Sequence, residues 1–285
     1  MSLQMQISGA LAAKPFVKWA GGKGQLLNEI RKKYPADLGG HIKKYAEPFV
    51  GGGAILFDVL NKFCMEEVYI SDINRELINT YTKVRDDVDL LVDILQDFQQ
   101  EYRLSGADER KSIFYKRRDM YNTLKNMDTL CVENAALFIF LNRTCFNGLY
   151  RVNSKGVFNV LQGDYKNPII CDEQNLRAVS HKLQGVQIIH GDYRCAADFI
   201  DGSTFAYFDP PYRPLSATST FNSYAESGFS DDDQAQLASF IDDMHKRGAY
   251  IVASNSDQKM KMKMTTFLMI CMQVIKLLGL KLQEL

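Results

Sequence analysis

Three consecutive glycines, Gly51-Gly52-Gly53, stand between a short apolar run at residues 45–50 and a run of helical spacing at residues 54–63. A second short apolar run, residues 68–70, follows and ends at Ser71-Asp72. Short strand-like runs flanking a helical period read as β-α-β. This unit constrains the fold more than any other feature. Its first strand ends in a glycine turn and its second in an acid, the layout with which α/β sheets bind nucleotide-like ligands. Glycines there permit a tight bend and a close ligand approach, and the acid can hold ribose hydroxyls. The G-x-G-x-x-G spacing of dinucleotide enzymes is missing, and no hydride-handling residues stand out, which argues against a nicotinamide oxidoreductase.

The rest of the chain extends this pattern and then breaks it. Residues 24–33 have helical apolar spacing, ended by Tyr34-Pro35. Apolar runs return at residues 186–189, 205–208 and 250–253, separated by helical segments, notably 231–246. Residues 75–140 are different, with helical periodicity, many charges and no strand, and residues 142–168 are polar and turn-rich. The expected architecture is an α/β sheet interrupted by a mostly helical insertion. Residues 1–74 and 170–285 would form the sheet domain and 75–169 the inserted one.

No apolar run approaches the roughly 20 residues of a membrane span. The N-terminus carries no basic region followed by an apolar stretch, so a cytoplasmic protein is expected. Six cysteines, at 64, 131, 145, 171, 195 and 271, show no paired spacing. Reduced thiols and no metal site are therefore expected. The net charge is zero, which gives no global mark of nucleic-acid binding. Residues 140–170 nonetheless hold Arg143, Arg151, Lys155 and Lys166 against the single acid Asp164. On charge alone the favoured reading of that stretch is a solvated loop face.

A second constellation is Asp209-Pro210-Pro211-Tyr212, directly after the apolar run 205–208. The first proline confines Asp209 to extended geometry and the pair stiffens the turn. A carboxylate, a free backbone carbonyl and an aromatic face would then stand at the sheet's C-terminal edge. That set suits a planar ring bearing an amine, whose protons the acceptors take while Tyr212 stacks on the ring. The plainer reading is a Pro-Pro turn with a helix-capping Asp.

With both constellations in order, the sequence resembles the DNA adenine methylase family, the D12 class of adenine-N6-specific methyltransferases. The resemblance runs from about Phe16 to Asp257. It takes in Phe16-Val17-Lys18-Trp19-Ala20-Gly21-Gly22-Lys23, the glycine turn, Ser71-Asp72-Ile73-Asn74 and Leu141-Asn142-Arg143. It continues through Phe146-Asn147-Gly148-Leu149-Tyr150-Arg151, Pro214-Leu215-Ser216-Ala217-Thr218 and Ser254-Asn255.

The resemblance implies a Rossmann-like sheet, S-adenosyl-L-methionine as cofactor, double-stranded DNA as substrate and a monomer in solution. It places Trp19, Lys23, Phe49, Gly51, Gly53, Asp72, Asp192 and Asp209 at the cofactor, with Trp19 equally readable as a packed core aromatic. Asp209, Pro210 and Tyr212 would do the chemistry. Lys18, Arg143, Phe146, Asn147, Leu149, Arg151, Asn153 and Tyr165 would touch DNA. An Arg fork suits that role, because it pairs with guanine O6 and N7. GATC is the implied target, although Leu161 stands where the enteric type has proline and Asp164 where it has a basic residue. Methylation of a protein glutamine or an RNA base uses similar turns, but those usually begin with Asn and lack the 142–168 loop.

The resemblance is expected to stop after Asp257. Residues 258–285 hold five of the eleven methionines and open Lys-Met-Lys-Met-Lys-Met after Gln258. Restoring one nucleotide in the Gln258 codon lets another reading frame give a family-like ending. A frameshifted C-terminus, and with it an inactive or weakened DNA- or cofactor-binding remnant, is the alternative to the enzyme.

Overall fold

The computed structural model describes residues 11–19, 26–211 and 229–254. Lys23, Tyr212, the segment at 214–218, Asn255 and the altered tail lie outside the described residues. Within them, five strands form one sheet: β1 (Lys44–Glu47), β2 (Glu67–Asp72), β3 (Gln187–His190), β4 (Thr204–Phe208) and β5 (Tyr250–Ala253). Their order is β3-β2-β1-β4-β5, with every neighbouring pair parallel. All five strands were expected from the sequence, and the Rossmann-like α/β reading stands.

The chain runs outward from β1 through β2 to β3, then returns to the other side of β1 for β4 and β5. The connections leaving β1 and β4 therefore diverge, and a crevice opens beyond their C-terminal ends. In open parallel sheets this switch point is where ligands bind. The glycine turn follows β1 and Asp209 follows β4, so the order of strands alone brings the two sequence constellations together.

Alternation along the strands divides the core into two layers. Tyr45, Val68, Ile70, Phe205, Tyr207 and Val252 face one side, with the apolar residues of α2 (Ala54–Lys62), α3 (Arg75–Asp86) and α7 (Glu173–Leu183). Ala46, Tyr69, Ala206, Phe208, Ile251 and Ala253 face the other, against Leu237, Ile241 and Met244 of α8 (Asp231–Lys246). The small alanines at the centre of that second face let α8 approach. β4 is buried at every residue, which explains its unbroken apolar sequence Thr-Phe-Ala-Tyr-Phe.

Helix ends follow local chemistry. Ser230 and Asp233 form a capping box at the start of α8, whose first turn carries three acids and whose last carries His245 and Lys246. Asn74 accepts from the Leu77 amide and starts α3. Asp172 does the same for α7 through the Asn175 amide. A short helix, α1 (Leu27–Arg31), occupies part of the run expected at 24–33.

Between β2 and β3 lie α3, α4 (Val88–Leu104), α5 (Ala107–Asn126) and α6 (Val132–Thr144). α6 is apolar on all sides and buried from Asn134 to Asn142, as a helix at the centre of a helical group must be. It packs on α3, α4 and α5, and α3 in turn packs on β3 and α7. One apolar core therefore runs from the sheet into the inserted helices.

Candidate active site

The glycine turn is fixed by the backbone and by two aromatic side chains. The Val50 amide donates to the Ser71 carbonyl at 3.0 Å, and the Gly51 amide to Asp72 Oδ2 at 3.0 Å. Gly51 and Gly53 have φ of 47° and 73°, the left-handed region that glycine enters without penalty. A Cβ on Gly51 would lie 2.8 Å from Trp19 Cδ1, and one on Gly53 2.5 Å from the Tyr81 hydroxyl. The Tyr81 hydroxyl donates to the Gly51 carbonyl at 3.0 Å. At these two glycines the missing side chains make room for Trp19 and Tyr81 rather than for a ligand, which differs from the reason the sequence suggested.

Asp72 ends β2 with both carboxylate oxygens engaged: Oδ2 by Gly51, Oδ1 by the Asn74 amide at 2.9 Å. Burial pushes its carboxyl up, and those two amides work against the shift. Each oxygen keeps a second lone pair, so the group can still accept from a diol. Beside it Ile73 is 66% exposed, an apolar face at the same sheet edge. Asp192 starts the 3-10 turn Tyr193–Ala196, where its Oδ1 accepts from the Arg194 amide at 2.9 Å. The Arg194 guanidinium pairs with its Oδ2 at 2.5 Å and holds the carboxyl below its ordinary range. Phe49 stacks on Tyr193 at 5.8 Å between ring centres and meets Phe229 edge-on. Carboxylates at the ends of β2 and β3 and apolar faces between them suit a cation bearing a sugar and a purine.

Asp209 stands at the end of β4, half-buried, followed by a buried Pro210 and an exposed Pro211. The Phe208 carbonyl just before it accepts from the Ser254 amide at 2.8 Å, and Ser254 Oγ lies 2.7 Å from the Tyr207 hydroxyl. β5 thus anchors the turn. Glu47, a residue that sequence reasoning passed over, ends the neighbouring β1 on the same face, and is only 2% exposed. The Tyr45 hydroxyl donates to its Oε2 at 2.6 Å. Burial, with Asp209 close by, pushes its carboxyl up to about 8. An acid two residues after a tyrosine at the end of an apolar strand was its only local signal.

The residues matched to DNA gather on a loop beyond α6. Isolated antiparallel bridges Cys145–Gln162 and Val152–Phe158 fold residues 145–163 into an irregular hairpin. Asn153 closes its tip, with Oδ1 accepting from the Lys155 and Val157 amides at 2.9 and 3.1 Å. Arg151 Nε donates to Asn159 Oδ1 at 2.9 Å, while its Nη groups have no partner among the described residues. Phe146 is 55% exposed and Leu161, whose carbonyl takes the Phe146 amide, 61%. Asn147 holds a positive φ of 53°, and Leu149 is half-buried. Lys18 joins the group: its Nζ donates to the Tyr165 hydroxyl at 3.2 Å and sits 4.3 Å from the ring centre. Arg143 is placed differently. Its Nη2 donates inward to the Phe16 carbonyl at 2.8 Å, and burial lowers its pKa.

Asn142 ties the lead-in segment to this loop. Its Oδ1 accepts from the Lys18 amide at 2.7 Å, and its Nδ2 donates to the carbonyls of Lys18 at 2.7 Å and Gly148 at 3.0 Å. Trp19, next in the chain, stacks on Tyr150 at 5.8 Å and Phe138 at 6.3 Å while covering Gly51 and Gly52. Among the described residues there is no cluster of side chains able to hold a metal ion, and no helix long and apolar enough to cross a membrane.

A parallel sheet with a glycine turn, an acid-capped second strand and an Asp-Pro-Pro turn meeting at its switch point has the layout of a Rossmann-like methyltransferase. A family model for D12 class N6 adenine-specific DNA methyltransferases matches residues 19–271, and the chain belongs to that family. The match continues past Asp257, where the resemblance was expected to end. The chain is 51% identical to the Type II methyltransferase M.MjaIII of Methanocaldococcus jannaschii, covering 86% of this chain and 85% of the relative. It is 37% identical to the Type II methyltransferase M1.LlaDCHI of Lactococcus lactis subsp. cremoris, over 85% and 81%. To a DNA adenine methylase of Haemophilus influenzae it is 35% identical, over 87% and 82%. Neither the fold nor these relatives favour the reading of an inactive remnant.

Proposed function

We propose that this chain methylates the N6 amine of an adenine turned out of double-stranded DNA, taking the methyl group from S-adenosyl-L-methionine, with GATC as its target. The observation that carries this reading is the meeting of the glycine turn, Asp72 and Asp209 at the ends of β1, β2 and β4 respectively. Asp72 would accept from the ribose hydroxyls, Ile73 and Phe49 would cover the purine, and Trp19, Gly51, Gly53, Asp192 and Lys23 would complete the pocket. When bound, the cofactor supplies an electrophilic methyl group on a sulfonium. The acids Asp72, Asp192 and Asp209 complement that positive charge.

Adenine N6 is a poor nucleophile, because its lone pair conjugates with the ring. Asp209 and the Pro210 carbonyl would accept hydrogen bonds from the amine's two N–H groups and draw the nitrogen toward tetrahedral geometry, while Tyr212 stacks on the base; the nitrogen gives up one of those protons to solvent once it carries the methyl. Catalysis is then positioning and electrostatics, with no covalent nucleophile. Extruding the base costs roughly a few kcal/mol, and exposed Phe146 is suited to filling the vacated stack. Lys18, Asn147, Leu149, Arg151, Asn153 and Tyr165 would read or grip the duplex from the insertion 75–169. Arg143, turned to Phe16, would position the lead-in segment rather than reach a base.

The test is transfer of labelled methyl from S-adenosyl-L-methionine to duplexes with and without GATC, followed by digestion to nucleosides. Label on N6-methyladenine in the GATC duplex alone is expected. Asp209→Ala should abolish it and leave cofactor binding largely intact. Label spread evenly over both duplexes would remove GATC, and a D209A variant of near-normal rate would remove Asp209 from the chemistry.

A further inference from the structure

Glu47 is buried, acidic and unused by the mechanism above. It sits on the same face of the sheet as Asp209, at the end of the adjacent strand, and Asp209 raises its pKa through space. Its Oε2 takes the Tyr45 hydroxyl at 2.6 Å. The backbone amide of Leu56, in the first turn of α2, faces the same carboxyl and favours its charged form. That amide matters, because α2 starts at Gly53, which has no side chain with which to cap the helix. One carboxyl thus touches the strand before the glycine turn, the helix after it and the neighbourhood of Asp209.

We propose that Glu47 is a positioning residue of the transfer site, a neutral acid that joins the glycine turn to Asp209 and leaves Asp209 as the only anion of the two. This rests on the reading that Asp209 accepts a hydrogen bond from the amine. Two carboxylates on one face of adjacent strands, one of them enclosed, escape costly repulsion only if one keeps its proton. Burial selects Glu47, at 2% exposed, over the half-buried Asp209. The titratable groups facing Glu47 are Tyr45 on its own strand, Tyr34 after α1, Tyr81 on α3, and Asp209. Burial holds the three phenols above their ordinary range, so they stay neutral where Glu47 titrates. When Glu47 loses its proton, a second negative charge appears against Asp209, and the joint between the two turns is set under repulsion.

The test measures kcat at saturating cofactor and duplex from mildly acidic to alkaline pH, with cofactor Kd by calorimetry, in the full chain and its variants. Wild-type kcat is expected to fall on the alkaline side of about 8. E47Q cannot ionise and should lack that fall. E47A should lose about tenfold or more in kcat without weaker cofactor binding, and E47Q should restore most of the loss. Y45F removes a donor that favours the ionised form, so its alkaline fall should move to higher pH. If E47A does not fold, E47Q and Y45F decide the matter. An E47Q enzyme with the wild-type alkaline fall, or one inactive at neutral pH, overturns the proposal. So does weaker cofactor binding in E47Q, which would make Glu47 a direct ligand. D209A separates the two readings: if it transfers methyl normally, the role of Asp209 itself fails, whatever E47Q does.

Discussion

Gly51 carries two demands that no other residue type meets together. Its φ of 47° lies where a side chain costs roughly 1–2 kcal/mol. Its missing Cβ also leaves space for the Trp19 ring, 2.8 Å from where that atom would stand. Trp19 cannot easily withdraw, since Tyr150 and Phe138 stack with it and Asn142 grips the residue before it. Gly51→Ala should therefore displace Trp19, tilt the Gly51 amide off Asp72 and weaken cofactor binding by about tenfold or more. Trp19 is the chain's single tryptophan, so its emission reports the displacement directly. An Ala variant with unchanged emission and unchanged cofactor affinity would show that the turn tolerates a side chain.

Asn142 works between elements: from α6 it holds the Lys18 backbone by both amide and carbonyl, and the Gly148 carbonyl as well. Asn142→Ala leaves these groups without partners, at about 1–3 kcal/mol for the buried Gly148 carbonyl and less for the part-buried Lys18 groups. Because the bonds join the lead-in segment to the loop proposed to read DNA, melting temperature should fall, and discrimination between GATC and a one-base variant should fall with it. Equal loss on both duplexes would reduce Asn142 to a purely stabilising residue. The sequence shows the Leu141-Asn142-Arg143 motif but not this grip, whose partners are remote in the chain. Elements made by local chemistry were legible: the capping box and flanking Gly248 bound α8 at 231–246, as the periodicity indicated. β4 was legible because burial on both faces leaves an unbroken apolar run. β2 exceeds its expected 68–70 because Ser71 and Asp72 pair with Ile189 and His190, a partner strand that no local pattern announces. α6 likewise continues to Thr144, past the start of the turn-rich stretch. Of the site, the glycine turn, Asp72 and Asp209 were legible as motifs. Glu47 and Tyr81 were not, since each acquires its place from packing rather than from its neighbours in sequence.

Across the whole molecule, the buried acid at the switch point couples fold stability to pH. Unfolded, Glu47 is an ordinary carboxyl with a pKa of 4.5; folded, it titrates near 8. The folded state therefore holds a proton that the unfolded state has released between those values, and stability falls as pH rises where the native state binds more protons. The contribution of neutral Glu47 is complete below pH 4.5, declines through the interval and is gone above about 8. Integrated over the interval, the effect amounts to roughly a few kcal/mol, a large fraction of what holds a typical domain together. Glu47→Gln keeps the shape and the acceptor for Tyr45 but cannot ionise, so it should escape this decline. Denaturant unfolding of the two proteins should show their stabilities converging toward pH 4.5 and E47Q pulling ahead as pH approaches 8. Asp58, Asp201 and Asp233 provide the opposite trend in both proteins, because each is held below its ordinary range in the folded state and loses its contribution as pH falls. Their effect cancels in the comparison, which isolates Glu47. A constant difference between the two curves at every pH would mean that Glu47 is already ionised in the folded protein, and that the core beneath the Asp-Pro-Pro turn accommodates its charge.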